Sequence, residues 1–566
     1  MNASERASYA PSWYTATMVP APERGPLTFD LDVDVCVIGG GLAGLTTARE
    51  IARRGWSVAV LETRRIAWNA SGRNNGFVLP GFAESMDRVV ARVGLDHAKA
   101  LWALSEMGLQ YVATAISEER MAGVAPTAGW LKVSKVDNGD EMLAAAQLYG
   151  QELGAEIEGW PTERVRDVLK TNHYFHALHW PRAFHIHPLN YALGLADAAE
   201  AAGARLFENS PALSIDTEGV RKRIVTPSAR VRAGHIVLAC NVHLGALMPR
   251  VAGTLTPIWS YALTTGPLGG RLAEAIAYRG AVTDTDLANS HYRVVGGDRL
   301  MWSGHSTTWE GDPGRCVRRL QADIAAVYPQ LGEVSVEHVW SGVLGNALHR
   351  MPQIGELSPG LWLASGFGGH GINTTAMAGN VLAQAIVEGD DIWRLFAPFE
   401  LVWAGGRLGR AAMQVYYWWF DARERFEARH ARQREEEYRR AGELAALRAG
   451  EEDVQREARL GAIVPKEQLP QEPALADLPV DPIIAGETVH TAPAIEEEVA
   501  AIEATLRRAA EREPALRAGD ERPLDEDVAR DEPPMEQRSR LRDLSVAEDD
   551  AAHDWPADRP RPRRSM

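Results

Sequence analysis

The sequence predicts an α/β plus α+β protein, in which a Rossmann-like domain is combined with a domain built on a mixed or antiparallel sheet. An apolar run over Val33–Ile38 leads through a cluster of glycines into a helical pattern, which predicts a parallel βα unit. Residues 251–339 contain short segments of alternating apolar and polar residues, which are typical of an antiparallel sheet. Residues 421–464 predict a charged helix, and residues 465–566 predict a disordered tail.

The glycine cluster is the most informative motif. Gly39, Gly41 and Gly44 form G-x-G-x-x-G between the first strand and the first helix. The first glycine allows a tight turn, the second allows backbone to approach a pyrophosphate, and the third lets the helix pack on the strand. Glu62 ends the next apolar run, where a carboxylate can bind both ribose hydroxyls and would repel a 2′-phosphate. The pattern predicts FAD or NAD; the alternative is a glycine-rich turn in an ordinary βαβ unit.

Composition excludes several classes of protein. The 566 residues are enough for two or three domains. The three cysteines, Cys36, Cys240 and Cys316, have neither metal-ligand spacing nor a paired framework, so we expect no metal site and a reducing compartment. No apolar run is long enough to span a bilayer, and we expect a soluble, cytoplasmic protein without a transmembrane segment.

The negative charge is concentrated at the C-terminus. Of the net −16, residues 431–566 contribute −12, from 21 basic and 33 acidic side chains, which leaves −4 for the rest. The body is near neutral and carries no basic stripe, so nucleic acid is not an expected partner.

Regular elements are predicted from apolar periodicity. The predicted helices cover residues 84–111, 141–153, 316–327 and 373–388, and the predicted strands cover residues 129–136, 204–207, 233–239 and 361–364. Residues 1–30 predict an extended arm that becomes ordered where its aromatic side chains find a groove. The aromatic run VYYWWF, residues 415–420, predicts helix-packing core, with an interfacial membrane contact as the alternative.

Several motifs together resemble the D-amino-acid-oxidase-like FAD oxidoreductases, and within them the gamma-glutamylputrescine oxidase branch. The motifs are DVCVIGGGLAGL, LETRRIAWNASGRNNG, HPLNYALGLADAAEAAGA, RMPQIGELSPGLWLASGFGGHGIN and GGRLGRAAMQVYYWWF. The resemblance implies an FAD-binding domain assembled from residues 31–90, 183–250 and 340–420. It implies a substrate domain assembled from residues 91–182 and 251–339.

The resemblance also implies the residues of the site. Gly39, Gly41 and Gly44 would hold the pyrophosphate, Glu62 the ribose, and Leu213 would pass the adenine edge. The flavin ring would contact Ser71, Gly72, Arg73, Asn74, Gly368, Gly369, His370, Gly371 and Ile372. The sequence departs from the family pattern at Asn75, where glycine is usual, and at Phe77, where glutamine is common. No histidine or cysteine stands where relatives attach flavin covalently, so the FAD is expected to be non-covalent.

The expected reaction is oxidation of a C–N bond of a small amine or amino acid by hydride transfer to flavin. The imine would hydrolyse to an aldehyde or keto acid, and O2 would accept the electrons and give H2O2. The candidate catalytic residues are His370, Arg73 and Tyr292. For Tyr292 and its neighbour Arg293, a packing or surface role is favoured over substrate binding. Two alternatives are a flavin dehydrogenase that passes electrons to a partner, and an FAD-binding scaffold whose tail binds a protein.

Overall fold

The computed structural model describes residues 9–285 and 290–420, together with some of the positions between 422 and 440. The predicted charged helix of residues 421–464 is therefore described only in part. The predicted tail, residues 465–566, lies outside the described residues.

The strands are numbered in chain order. They are β1 (Leu31–Ile38), β2 (Val58–Leu61), β3 (Phe77–Val78), β4 (Thr127–Val133), β5 (Glu158–Trp160), β6 (Ala177–His185), β7 (Arg205–Phe207), β8 (Ser214–Asp216), β9 (Lys222–Val225), β10 (Arg230–Leu238), β11 (Thr256–Thr265), β12 (Ala281–Asp284), β13 (His291–Val295), β14 (Arg299–Thr307), β15 (Val336–Asn346), β16 (Gln353–Ser358) and β17 (Leu361–Ser365).

The α-helices are numbered in the same way. They are α1 (Trp13–Ala16), α2 (Leu42–Arg53), α3 (Ala70–Arg73), α4 (Met86–Val93), α5 (Leu95–Glu118), α6 (Gly139–Gln147), α7 (Thr162–Leu169), α8 (Pro188–Ala201), α9 (Pro249–Ala252), α10 (Gly270–Ala275), α11 (Pro313–Val327), α12 (Gly371–Glu388) and α13 (406–420). Short 3-10 turns cover Asn241–Leu247, Pro329–Leu331 and Ile392–Phe396, and a π-helical turn covers Leu148–Glu152.

The first sheet has eight strands and contains the predicted βα unit. Its main order is β16-β17-β10-β1-β2-β7, and β1 pairs in parallel with both β10 and β2. The strands β8 and β9 extend it beside β10. Because both faces of these parallel strands are covered, β2 is buried at all four positions and β17 at all five. The predicted Rossmann-like architecture is confirmed.

The second sheet has nine strands in the main order β15-β11-β14-β13-β12-β4-β6-β3, with β5 beside β6. Most of its pairs are antiparallel, and the β12–β4 pair is parallel. The predicted mixed sheet is therefore confirmed as well. Helix α11 covers one face of this sheet, and that face forms a separate apolar core.

Alternation along the strands divides the second sheet into an outer and an inner face. Tyr292 points to the outer face, where its ring stacks on Trp302 at 4.2 Å and its hydroxyl accepts a hydrogen bond from Tyr328 at 3.0 Å. Its neighbours on β13, His291 and Arg293, point to the inner face, which is turned toward the first sheet. The catalytic role of Tyr292 stays a prediction that this position does not favour, because the side chain is 1% exposed in the apolar core on the outer face of the sheet.

Two predicted helices differ from the observed ones. The helix predicted over residues 84–111 is divided into α4 and α5 at Gly94, whose φ of 81° lies in the left-handed region. The helix predicted over residues 141–153 begins at Gly139 and ends in the π-helical turn. Apolar spacing alone continues smoothly across both points, which is why the sequence missed them.

The structure describes the N-terminal arm from Tyr9, and the expectation that its aromatic residues occupy a groove is confirmed for Tyr14. Tyr14 is fully buried, with its ring edge-on to Trp340 and His187. The Tyr9 hydroxyl donates to the Ile66 carbonyl at 2.8 Å. The arm therefore spans parts of both sheets.

The predicted domain boundaries stay a proposal. Assigning each strand to the domain of its sheet would change some of these boundaries. The short strand β3 belongs to the second sheet, although it was assigned with the nucleotide-binding segment 31–90. Helix α5 packs on α12, where a Cβ at Gly108 would overlap the Asn373 carbonyl oxygen. None of the described helices combines the length and apolar character that crossing a bilayer requires.

The packing of Tyr292 in the outer-face core predicts how much each substitution at this position lowers the free energy of unfolding. Tyr292→Ala should lower the free energy of unfolding by about 3–5 kcal/mol, because a large cavity opens beside Trp302. Tyr292→Phe should cost only about 1 kcal/mol, since one buried hydrogen bond is lost. Denaturant unfolding of both variants, with the half-exposed Phe29→Ala as control, would measure this. A Tyr292→Ala variant as stable as the control would contradict the assignment.

Candidate active site

The glycine turn between β1 and α2 is tightly packed and has no room for side chains. Gly39 has a φ of 115°, and a Cβ at Gly44 would overlap the Gly39 carbonyl oxygen. A Cβ at Gly41 would lie 2.8 Å from the Ser71 hydroxyl, which accepts a hydrogen bond from the Leu42 N–H at 3.0 Å. Only glycine fits these positions, so the turn leaves the start of α2 accessible to an anion.

Glu62 closes the turn from the end of β2. One carboxylate oxygen accepts the Gly40 N–H at 2.8 Å, and the other accepts the Arg64 N–H at 2.8 Å. Burial raises the pKa of Glu62, while the two N–H donors lower it. Each oxygen keeps acceptor capacity, which matches recognition of ribose hydroxyls.

The segment from Ser71 to Asn74 forms the short helix α3 and the turn after it. Ser71 lies beside the glycine turn, on the phosphate side, and Gly72 is packed against Ala67 and Leu189. Asn74 uses its amide locally, because it donates to the Ala70 and Ser71 carbonyls and accepts from the Gly76 N–H. The four predicted residues therefore lie together, and Asn74 serves the loop itself.

Arg73 projects from this turn toward the second sheet. Its guanidinium lies 4.4 Å from the Trp68 ring centroid, and its carbonyl accepts the Trp340 indole N–H at 2.9 Å. One of its buried terminal nitrogens has no hydrogen-bond partner. Burial, together with repulsion from Arg64, lowers the pKa of Arg73 to about 10. A buried cation with a free donor is suited to a ligand oxygen.

A second loop, between β17 and α12, faces the same region. Gly369 and Gly371 have open space where a Cβ would stand, and Gly368 lies against Ala83 and Asn346. Helix α12 starts after His370, and no side chain caps its start. The first N–H groups of this helix are thus available to an electronegative ligand atom.

Basic residues gather around this second loop. His370, His291 of β13, Lys132 of β4 and Arg350 of the β15–β16 connection interact electrostatically. All four keep partial solvent exposure although they lie deep in the fold, as expected for the lining of a cavity. Burial is the main cause that lowers the pKa of His370 to about 3 and of His291 to about 4, and Lys132 adds to the effect at His370. Both imidazoles are therefore neutral near pH 7.

His291 has a defined hydrogen-bond direction. The Thr283 hydroxyl accepts the Trp130 indole N–H at 3.1 Å and lies 3.0 Å from the His291 Nδ1. The hydroxyl has one proton and two lone pairs, so this hydrogen bond fits either tautomer of His291. In both cases Nδ1 is occupied by Thr283, and Nε2 is the nitrogen left to contact a ligand.

Arg293 is a further buried cation on the inner face. It donates to the Tyr14 hydroxyl at 3.1 Å and to the His185 Nδ1 at 2.6 Å. One of its terminal nitrogens would lie 2.7 Å from a Cβ at Gly76, so the β3 loop passes directly over the guanidinium. The N-terminal arm and the β3 loop therefore fix Arg293 behind the cavity.

Lys132, Arg293 and Arg350 form no ion pair with any carboxylate in the described part of the chain. Burial lowers the pKa of Lys132, and the charge of Asp87 offsets part of this effect. The buried Nε of Arg350 and of Arg293 has no hydrogen-bond partner either. Uncompensated buried cations are costly and are retained at sites that bind an anion.

Sequence reasoning found the two glycine loops but missed these cations. Lys132, His291 and Arg350 carry no motif, and only the strand pairing brings them beside His370. Leu213 is 59% exposed at the start of β8 and uses its N–H to pair with Val225, so its side chain contributes nothing to an enclosed pocket.

The arrangement fits FAD. The glycine turn and Glu62 provide sites for the pyrophosphate and the ribose, and the β17–α12 loop provides open space with free N–H donors. Both loops lie at the carboxyl ends of β1 and β17 in the parallel part of the first sheet, where ligands of α/β sheets bind.

The glycine turn predicts loss of cofactor on substitution. Gly41→Val should abolish FAD retention, because the side chain occupies the space next to Ser71 where backbone approaches phosphate. Gly159→Val, on β5 with open space around it, is the matched control. Flavin absorbance per chain after gel filtration is the measurement, and full flavin content in Gly41→Val would contradict the assignment.

Comparison with curated proteins finds relatives over most of the folded chain. The probable oxidoreductase OrdL of Haemophilus influenzae is 29% identical over 395 residues, which cover 68% of this chain and 90% of the relative. The gamma-glutamylputrescine oxidoreductase of Escherichia coli is 29% identical over 388 residues, which cover 67% of this chain and 89% of the relative.

Solved structures share the fold. Glycine oxidase from Geobacillus kaustophilus superposes with a TM-score of 0.54 at 20% identity, covering 66% of this chain and 99% of the other. L-proline dehydrogenase from P. horikoshii gives 0.55 at 19% identity, covering 66% and 100%. The family model described as DAO, FAD dependent oxidoreductase, matches residues 34–385. With more than half of its length matched, the chain belongs to the DAO family of FAD-dependent oxidoreductases.

Proposed function

We propose that the protein oxidises a C–N bond of a small amine or amino acid, that the imine product hydrolyses to an aldehyde or keto acid, and that O2 is reduced to H2O2. The observation that carries this proposal is the cluster of basic side chains, His370, His291, Lys132 and Arg350, which interact electrostatically where the β17–α12 loop faces the inner face of the second sheet. The names of relatives support it, because one acts on gamma-glutamylputrescine and another is a glycine oxidase.

The cofactor supplies the redox chemistry: bound FAD accepts a hydride from the carbon next to nitrogen and returns the electrons to an acceptor. The chain holds this cofactor through Gly39, Gly41 and Glu62. The free N–H groups at the start of α12 stabilise negative charge that develops at the ring. We expect the FAD to be bound non-covalently, so acid precipitation should release the flavin from the polypeptide.

His370 and Arg73 remain the proposed catalytic residues, on opposite loops of the site. With a pKa lowered to about 3, His370 is a poor proton acceptor and instead orients the substrate by hydrogen bonding. Arg73 offers its unpaired donor to an oxygen of the cofactor or of the substrate. Phe77, which departs from the family pattern, faces His291 edge-on at 5.8 Å and narrows the cavity.

The charge of the cavity narrows the class of substrate. Lys132, Arg293 and Arg350 bring positive charge without a paired carboxylate, so a cationic polyamine would be repelled. A substrate with a carboxylate distant from its reacting nitrogen would compensate this charge. The favoured substrates are therefore amino acids and acylated amines that keep a free carboxylate.

The second candidate function is that of a dehydrogenase, which differs from an oxidase in its electron acceptor. One structural relative is a dehydrogenase, and the fold accommodates both classes. Reoxidation by O2 and by an artificial acceptor must therefore be measured side by side.

The proposed reaction predicts flavin bleaching. Under anaerobic conditions the flavin should bleach with at least one compound from a panel of polyamines, N-methyl amino acids, D-amino acids and gamma-glutamyl amines. Admission of air should restore the colour and release about one H2O2 per flavin. Bleaching that persists in air until an artificial acceptor is added would assign a dehydrogenase, and no bleaching at all would contradict amine oxidation.

The positive cavity predicts a preference for carboxylates. The substrate should bleach the flavin about 30-fold or more faster than its carboxamide analogue does. This ratio corresponds to about 2 kcal/mol for a buried charge pair. Lys132→Met and Arg350→Met should each reduce this ratio by about tenfold, whereas Arg88→Met on the exposed side of α4 should not. An unchanged ratio in both cavity variants would contradict the role of these cations.

A further inference from the structure

Helix α13 is held on the substrate-binding domain by one side. The Gln414 side-chain oxygen accepts the Thr308 N–H at 2.8 Å and lies 3.2 Å from the Thr308 hydroxyl. Arg410 donates to the Thr308 carbonyl at 2.6 Å and stacks near Trp309. These contacts fix the rotation of the helix about its axis, so its other side faces outward.

The helical described positions beyond α13 continue along the same surface. Ala431 is 6% exposed, and Arg432 lies 3.0 Å from the Nδ1 of His173, which precedes β6. The inward side of the helix therefore contacts the rest of the protein both near its start and near Arg432. Whatever covers the outward side is not supplied by the described part of the chain.

The outward side carries an apolar stripe formed by Leu408, Val415, Trp418, Trp419 and Phe426, with exposures of 84%, 59%, 60%, 47% and 63%. Their spacing places them on one side of a helix over about five turns. The prediction that the aromatic run of residues 415–420 is helix-packing core is wrong for Val415 and for the two tryptophans. The reason is that an amphipathic period fits a buried face and an exposed face equally well.

The charge around the stripe is opposite to that of the whole protein. Residues 406–434 contain seven arginines and three acidic residues, a balance of +4, whereas the chain carries −16. Two of these arginines, Arg410 and Arg432, contact Thr308 and His173 on the inward side, which leaves five others. Arg423 lies near the Trp419 ring, 5.7 Å from its centroid. The stripe is thus an apolar surface bordered by arginines.

We propose that this stripe docks the enzyme onto an anionic lipid surface, with the helix lying in the plane of the interface. Exposed tryptophans beside leucine and phenylalanine, with arginines at the edges, suit the boundary between acyl chains and negatively charged headgroups. The alternative occupant, a second copy of the helix, fits less well. Adjacent Trp418 and Trp419 make the stripe wider than a two-stranded seam, and arginines bordering one copy would meet few acidic partners on another.

Sedimentation with lipid vesicles tests the proposal on the full-length, FAD-loaded protein. Vesicles of phosphatidylcholine with about one third phosphatidylserine should bind it at least about tenfold more tightly than pure phosphatidylcholine, and added salt should weaken binding. The double variant Trp418→Glu/Trp419→Glu should lose this binding about tenfold or more, with flavin absorbance unchanged. Val220→Glu, at an exposed apolar position in the turn between β8 and β9, is the matched control.

A second pair of changes tests the charge separately from the apolar side chains. Arg407→Glu/Arg429→Glu should weaken binding to anionic vesicles and leave the weak binding to neutral vesicles unchanged. Absence of binding to anionic vesicles, or full binding by the tryptophan variant, would overturn the proposal. A dimer by light scattering that becomes monomeric in the tryptophan variant, without vesicle binding, would assign the stripe to a second copy instead.

Discussion

The close approach of helices α2 and α12 is the contact on which the site depends. A Cβ at Gly379 of α12 would lie 2.5 Å from the Thr46 Cβ and 2.7 Å from the Thr47 N–H on α2. The two helices follow β1 and β17, which are separated only by β10. Because no side chain keeps them apart, their N-termini open toward one edge of the sheet, where both can stabilise negative charge on a single ligand.

The second sheet supplies what the first one lacks, which is an array of directed polar groups. Strand alternation separates an apolar outer face, where Tyr292 and Trp302 stabilise the sheet, from an inner face with Lys132, His291 and Arg293. The outer face is rigid and closely packed, so it fixes the direction of the inner side chains. Substrate selection can therefore change through the inner face without disturbing the cofactor-binding loops.

The parts of the site that can be predicted from the sequence are those whose residues lie close together along the chain, at a spacing typical of one motif. Gly39, Gly41, Gly44 and Glu62 could be proposed from the sequence because the turn, the helix start and the carboxylate follow each other within one βα unit. Lys132 and Arg350 could not be proposed, because they are distant in sequence and only the three-dimensional fold brings them together. The face of the sheet on which Tyr292 lies could not be predicted either, because a strand pattern gives the period of two but not which face meets the ligand.

A crystal structure of the protein with FAD and a small carboxylate is the most direct test of this active site. We expect the ring system of FAD between the Gly369–Gly371 loop and the inner face of the second sheet, with the first N–H groups of helix α12 pointing at the ring. The carboxylate should contact Lys132 or Arg350 on the side of the ring away from the first sheet. A ring bound elsewhere, or a carboxylate held without either cation, would contradict the central claim that these two surfaces together form the active site.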